Sequence, residues 1–181
     1  MSLASISLEF IYVRVPRTAS TTFTARLREQ FPYELIDVGT PHATSEELKR
    51  LWGPQWDTYF TFGFVRNPWD WLVSVYNSGF PMGEWPGDKI LPKDAPGIHP
   101  GQRMNYSFEE WVRKFDLSQA DWLQGVDRVY KFEDFVRGEE MKKNVVKHPP
   151  YQEWYTPELA EYVGSRYWWE VEKGNYEFGK T

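Results

Sequence analysis

Apolar and polar positions follow two periods along this chain, and the changes between them mark its elements. Phe10, Ile11, Tyr12, Val13 and Val15 form an apolar run rich in β-branched and aromatic residues, as a buried strand requires. Apolar positions then recur every four residues at Phe23, Leu27 and Phe31, which predicts an amphipathic helix. Tyr33–Val38 predicts a short second strand, followed by a loop over Gly39-Thr40-Pro41-His42. Thr44 and Glu47 have capping-box spacing for a helix running to Trp52, where Gly53-Pro54 stops it. Thr58–Val65 is apolar and β-rich enough for a central parallel strand. Asn67 and Pro68 suit the cap and first position of the next helix. Its apolar face holds Trp69, Leu72, Val73 and Tyr76, and its polar face holds Asp70, Ser74, Asn77 and Ser78, which puts Ser74 outside the core.

The Pro- and Gly-rich stretch Phe80–Gln102 has no usable period and reads as a long loop, of the kind that shapes a substrate pocket. Ser107 caps a short helix over Phe108-Glu109-Glu110-Trp111 and beyond, Asp127–Phe132 is the last strand, and Glu133–Val146 begins another helix. A final helix opens at Thr156-Pro157-Glu158 and runs to about Glu172, with Gly174-Asn175 after it. Strands alternating with helices imply an α/β domain on a parallel sheet with right-handed crossovers. With 181 residues, one domain over 1–181 is expected.

Charge and composition narrow the function. The net charge is −5 and acidic residues outnumber basic ones in both halves, so no basic stripe marks a nucleic-acid partner. The same balance argues against a densely sulfated polyanion as substrate. There is no cysteine, hence no disulfide and no thiolate metal site. No stretch is long and apolar enough to span a membrane, and the first apolar run leaves no room ahead of it for a signal peptide, so a cytoplasmic location without a membrane partner is expected. Ten tryptophans are many for a chain of this size, and most read as filling for a small core.

Candidate chemistry lies where the first strand turns into the first helix. Arg17, Thr18, Ala19, Ser20, Thr21 and Thr22 occupy this turn, where the opening of a helix leaves backbone N–H groups that an anion can satisfy. The glycine-rich GxxxxGK[ST] spacing is absent, which makes a P-loop kinase a poor match. Arg17-Thr18-Ala19-Ser20-Thr21 instead resembles the 5′-phosphosulfate loop of sulfotransferases that use 3′-phosphoadenosine 5′-phosphosulfate (PAPS), with Arg in place of the usual Lys. The wider string RVPRTASTTFT is similar to the uronosyl 2-O-sulfotransferase branch. A second string, FGFVRNPWDWLVSVY, resembles the 3′-phosphate motif of the same superfamily, in which an Arg at a strand end and a Ser eight residues on hold the 3′-phosphate; here they are Arg66 and Ser74.

The resemblance implies a three-layer, P-loop-like sulfotransferase fold with a short central parallel sheet and PAPS across its carboxyl edge. It implies an enzyme that moves a sulfuryl group from PAPS to a hydroxyl of a carbohydrate or small-metabolite acceptor by in-line displacement. Arg17 would stabilise the departing phosphate, the place where family members use Lys. A guanidinium cannot readily give up its proton, so general-acid work does not pass to it. For the base, the 2-O-sulfotransferase branch uses His, and His42 stands in the loop after the second strand, where an open α/β sheet binds ligands. His99 is the reserve and His148 reads as a surface residue. Glu133 and Asp134 read as structural. No metal is required, because the histidines show no ligand spacing and no carboxylate cluster appears. Two alternatives stay open: a non-catalytic nucleotide- or glycan-binding module on the same fold, and a P-loop-like kinase.

Overall fold

Four-residue strands carry most of the sheet, and the pairing between them explains how such short runs hold. The computed structural model describes residues 1–78, 106–137 and 148–180. Its strands are β1 (Ser2–Ser5), β2 (Phe10–Val13), β3 (Leu35–Val38), β4 (Phe60–Val65) and β5 (Arg128–Lys131), in spatial order β3-β1-β2-β4-β5. The helices are α1 (Ser20–Gln30), α2 (Ser45–Trp52), α3 (Pro68–Asn77), α4 (Phe108–Lys114), α5 (Ala120–Leu123), α6 (Phe132–Val136), α7 (Pro157–Arg166) and α8 (Trp168–Gly174).

The sheet is mixed, which corrects the expectation of a parallel one. β2, β4 and β5 pair in parallel, but β1 runs antiparallel to both β2 and β3. Ser2-Leu3-Ala4-Ser5 has too few apolar residues to register as a strand by pattern. Its ladder partners supply the order instead, with Leu3 opposite Tyr12 on one side and Asp37 on the other. Leu3 and Ala4 are fully buried, so the start of the chain is part of the fold. Because β1 alone is reversed, β2, β3, β4 and β5 point the same way and their carboxyl ends share one edge.

Side chains alternate across each strand, so the sheet has two apolar faces. Ala4, Ile11, Val13 and Val65 face a large core with Leu48 of α2, Leu72 of α3, Trp111 of α4, Trp122 of α5 and Val163 of α7. Leu3, Tyr12 and Phe64 face the other way, onto Phe23 and Leu27 of α1 and Phe132 and Phe135 of α6. Phe23 is the hub of that second cluster: its ring lies 4.7 Å from Tyr12, 4.8 Å from Phe64 and 5.2 Å from Phe135. Edge-to-face pairs of this kind each contribute about 0.5–1.5 kcal/mol beyond burial, and together they fix the opening of α1 against the sheet.

Helix starts follow the capping chemistry. Thr44 and Glu47 exchange bonds in a capping box at α2, as Ser107 and Glu110 do at α4, and Asn67 Oδ1 accepts from the Trp69 and Asp70 amides at α3. The final helix is not continuous. It breaks at Tyr167, whose φ of −106° and ψ of 37° leave the helical range, and α8 departs from there. Tyr167 is buried against Trp71, so packing sets the bend where periodicity gave no sign of one. The helix expected from Glu133 to Val146 is the five-residue α6 as far as residue 137, and its remainder lies outside the described residues. The Phe80–Gln102 loop, with His99, also lies outside them.

Candidate active site

Beyond β2 the chain makes a turn that few sequences without glycine adopt. Arg17 has φ of 62° and Ala19 has φ of 53°, both in the left-handed region. Each such residue with a Cβ costs about 1–2 kcal/mol, and it persists only where its surroundings over-determine it. Here they do. Thr18 is fully buried and donates through Oγ1 to the Val15 carbonyl at 2.9 Å, and the buried Trp71 donates through Nε1 to the Pro16 carbonyl at 2.9 Å. Ala19 caps α1 without a side-chain bond, and the Phe23 N–H to the Ala19 carbonyl, at 3.0 Å, is the first turn of the helical ladder. The amides before Phe23 therefore point out of the helix end, where the dipole favours an anion. Successive backbone N–H groups in such a turn form a concave anion cradle.

Two arginines meet at this cradle. Arg17 donates through Nε to Ser74 Oγ at 3.1 Å, and Arg66 donates through Nη1 to the Arg17 carbonyl at 2.8 Å. Arg66 stands at the carboxyl end of β4. Its Nε lies 2.8 Å and its Nη2 2.6 Å from Asp70 Oδ2, one turn into α3, and its guanidinium sits 4.9 Å from the centre of the Phe132 ring. Burial, and then the charge of Arg66, lower the Arg17 guanidinium to about 10, which still leaves it protonated at neutral pH. Arg17, Arg66, Ser74 and the turn 17–22 are thus one connected cluster. A cavity of about 480 Å³ opens beside it, lined in part by Asn67, Asp70 and Lys131.

Ser74 departs from the sequence reading. It is 2% exposed, not a solvated position, because the polar face of α3 turns toward the Arg17 loop. The opposite face packs into the core, so α3 is buried nearly all round, Trp71 and Val75 included. Trp71 was invisible to a one-face helical pattern, yet it holds the loop in place.

His42 lies at the same sheet edge, after β3, with φ of 59°. Its carbonyl accepts from Trp122 Nε1 at 2.7 Å. Burial, and then the charge of Arg14, lower its imidazole to about 4, against a hydrogen bond at the Arg14 backbone that pulls upward. The ring is therefore neutral at pH 7, the form a proton acceptor needs. Its ties run to Arg14 and Trp122, whereas Arg17, Arg66 and Ser74 touch one another directly.

Glu133 behaves as a structural group: Oε1 accepts the Asn67 N–H at 2.9 Å and Oε2 lies 2.5 Å from the Tyr176 hydroxyl. Gln119, which no sequence pattern singled out, grips the backbone of Arg66. Among the described residues no three His, Asp or Glu side chains are grouped to hold a metal ion, and no helix is long and apolar enough to cross a membrane.

Comparison with family models finds a match to the sulfotransferase family over residues 5–162, a span that includes the Arg17 turn, His42, Arg66 and Ser74. Comparisons with curated proteins and with solved structures return no match. With both arginine-bearing turns inside a match that covers most of its length, this chain belongs to the sulfotransferase family.

Proposed function

We propose that the chain transfers a sulfuryl group from PAPS to a hydroxyl of a carbohydrate or small-metabolite acceptor by direct in-line displacement. The observation that carries this reading is the contact of Arg17 with both Ser74 and Arg66, which joins two motifs far apart in sequence into one cationic site. In this reading the sheet, with helices on both faces, is a three-layer, P-loop-like sulfotransferase fold. Arg17, Thr18, Ala19, Ser20, Thr21 and Thr22 hold the 5′-phosphosulfate, and Arg66 with Ser74 holds the 3′-phosphate.

The chemistry asks three things of the protein: charge neutralisation, alignment and a proton acceptor. As the acceptor oxygen bonds to sulfur, the bond from sulfur to the bridging phosphate oxygen breaks, and its electron pair leaves on the phosphate. Arg17, protonated and half-buried, neutralises that charge without a proton transfer. His42, neutral well into the acid range, takes the hydroxyl proton. No metal enters this scheme.

Incubating the protein with labelled PAPS and a panel of hydroxylated acceptors tests it. Label should pass to at least one acceptor, and His42→Ala should lose most of that transfer. Full activity in the variant removes His42 from the mechanism. Tight binding of PAPS with no transfer to any acceptor favours instead a binding module, as the Arg in place of Lys at position 17 would permit.

A further inference from the structure

The β4–β5 ladder ends at Val65 and Lys131, and past it the backbone of residues 66 and 67 has left the neighbouring strand. Buried peptide groups need partners, and here three remote side chains provide them. The Tyr176 hydroxyl lies 2.9 Å from the Val65 carbonyl, and Glu133 accepts the Asn67 N–H. Between them, the Arg66 N–H donates to Gln119 Oε1 at 2.8 Å while Gln119 Nε2 donates to the Arg66 carbonyl at 2.8 Å. One carboxamide thus replaces a strand, taking both the donor and the acceptor of a single residue. The amide side chain sets a carbonyl acceptor beside an N–H donor, as a peptide group does, and the pairing fixes which end is oxygen.

Gln119 itself has no slack. It is fully buried, and its N–H donates at 2.5 Å to Oε1 of Glu170, a carboxylate that is also fully buried and accepts from Ser118 Oγ at 2.8 Å. The residue so fixed is the one whose guanidinium must reach both the Arg17 carbonyl and Asp70. Recognition by a planar fork of donors tolerates little displacement of its base.

We infer that Gln119 is a positioning residue for the Arg66 anion site, setting how strongly the donor's 3′-phosphate is recognised. The inference rests on the assignment of that phosphate to Arg66 proposed above. Its signature is selective: loss of Gln119 weakens ligands with a 3′-phosphate and spares those without one. General loosening of the fold would weaken both alike.

The test is calorimetric titration of the full chain with adenosine 3′,5′-bisphosphate and with adenosine 5′-monophosphate, read as the ratio of their affinities. The unaltered protein should prefer the bisphosphate. In Gln119→Met, which keeps volume and removes both hydrogen bonds, that preference should fall by about tenfold, the effect of one charge-assisted bond set out of line. Tyr176→Phe, which deletes only the neighbouring hydroxyl, should lower it by a smaller factor of about three. If Gln119→Met does not fold, Gln119→Asn, which keeps the amide on a shorter stem and draws it away from the Arg66 backbone, takes its place with the same expected fall. A ratio that stays at the unaltered value in the Gln119 variant that folds overturns the inference. If the unaltered protein itself shows no preference, the assignment of the 3′-phosphate to Arg66 fails first, and the inference falls with it.

Discussion

Arg17 and Ser74 are 57 positions apart in the chain, yet Nε of one donates to Oγ of the other at 3.1 Å. That bond joins the turn after β2 to the middle of α3, and it gives the serine hydroxyl a buried partner in a place where a solvent-facing serine would have none. Replacing Ser74 with Ala should therefore leave the fold within about 1 kcal/mol of its stability while removing one hydroxyl from the anion site. Calorimetry with adenosine 3′,5′-bisphosphate should show affinity reduced by about five- to tenfold, and denaturant titration should separate the two effects.

Left-handed backbone at Ala19 makes a second prediction. Glycine removes the Cβ penalty of about 1–2 kcal/mol but adds freedom to the unfolded chain, worth about 0.5–1 kcal/mol in the other direction. Ala19→Gly should raise stability by about 0.5 kcal/mol. Affinity for the bisphosphate should hold, because the amides and not the methyl group form the cradle. A fall in stability would mean that the alanine side chain has a packing role at this position.

The His42 imidazole predicts a pH profile. Its value of about 4 in the folded chain lies below the ordinary 6.5, so protonation favours the unfolded state. The stability it contributes is complete above pH 6.5 and is lost as pH falls from there toward 4. For catalysis the dependence has the same sign as for an unperturbed histidine base, but the fall on protonation is displaced toward pH 4, so the neutral form persists across the usual range. Sulfuryl transfer, read as kcat/KM, should be level on its acid side from about pH 5 to 7, where an ordinary histidine of pKa about 6.5 would give a rise of roughly 25-fold. His42→Ala should lower the rate by about 10²–10⁴-fold.

Much of this architecture was legible in the chain because its signals are local. Thr44 with Glu47, Asn67 with Pro68, and the apolar run before Pro16 each act within a few residues, and each appears where its chemistry points. The turn from Arg17 into α1 was legible for the same reason. What escaped was non-local. β1 has almost no pattern of its own and exists through its two neighbours, with the buried Ser2 accepting the Arg14 N–H through Oγ. Ser74 fell outside the core by pattern because a helical wheel cannot tell water from a folded loop. Gln119 and Glu170 are polar residues at full burial whose partners lie about fifty residues away, and hydrophobic periodicity passes over them.

The central claim is that the turn at Arg17 and the strand end at Arg66 grip a single nucleotide bearing two phosphates. Titration of the protein with adenosine 3′,5′-bisphosphate, alongside Arg17→Ala and Arg66→Ala, tests it most directly. One molecule should bind per chain, and either substitution should weaken that one event by about 1.5–3 kcal/mol, the worth of a charge-assisted contact to phosphate. Two independent binding events, or an affinity untouched by one of the two substitutions, would contradict it.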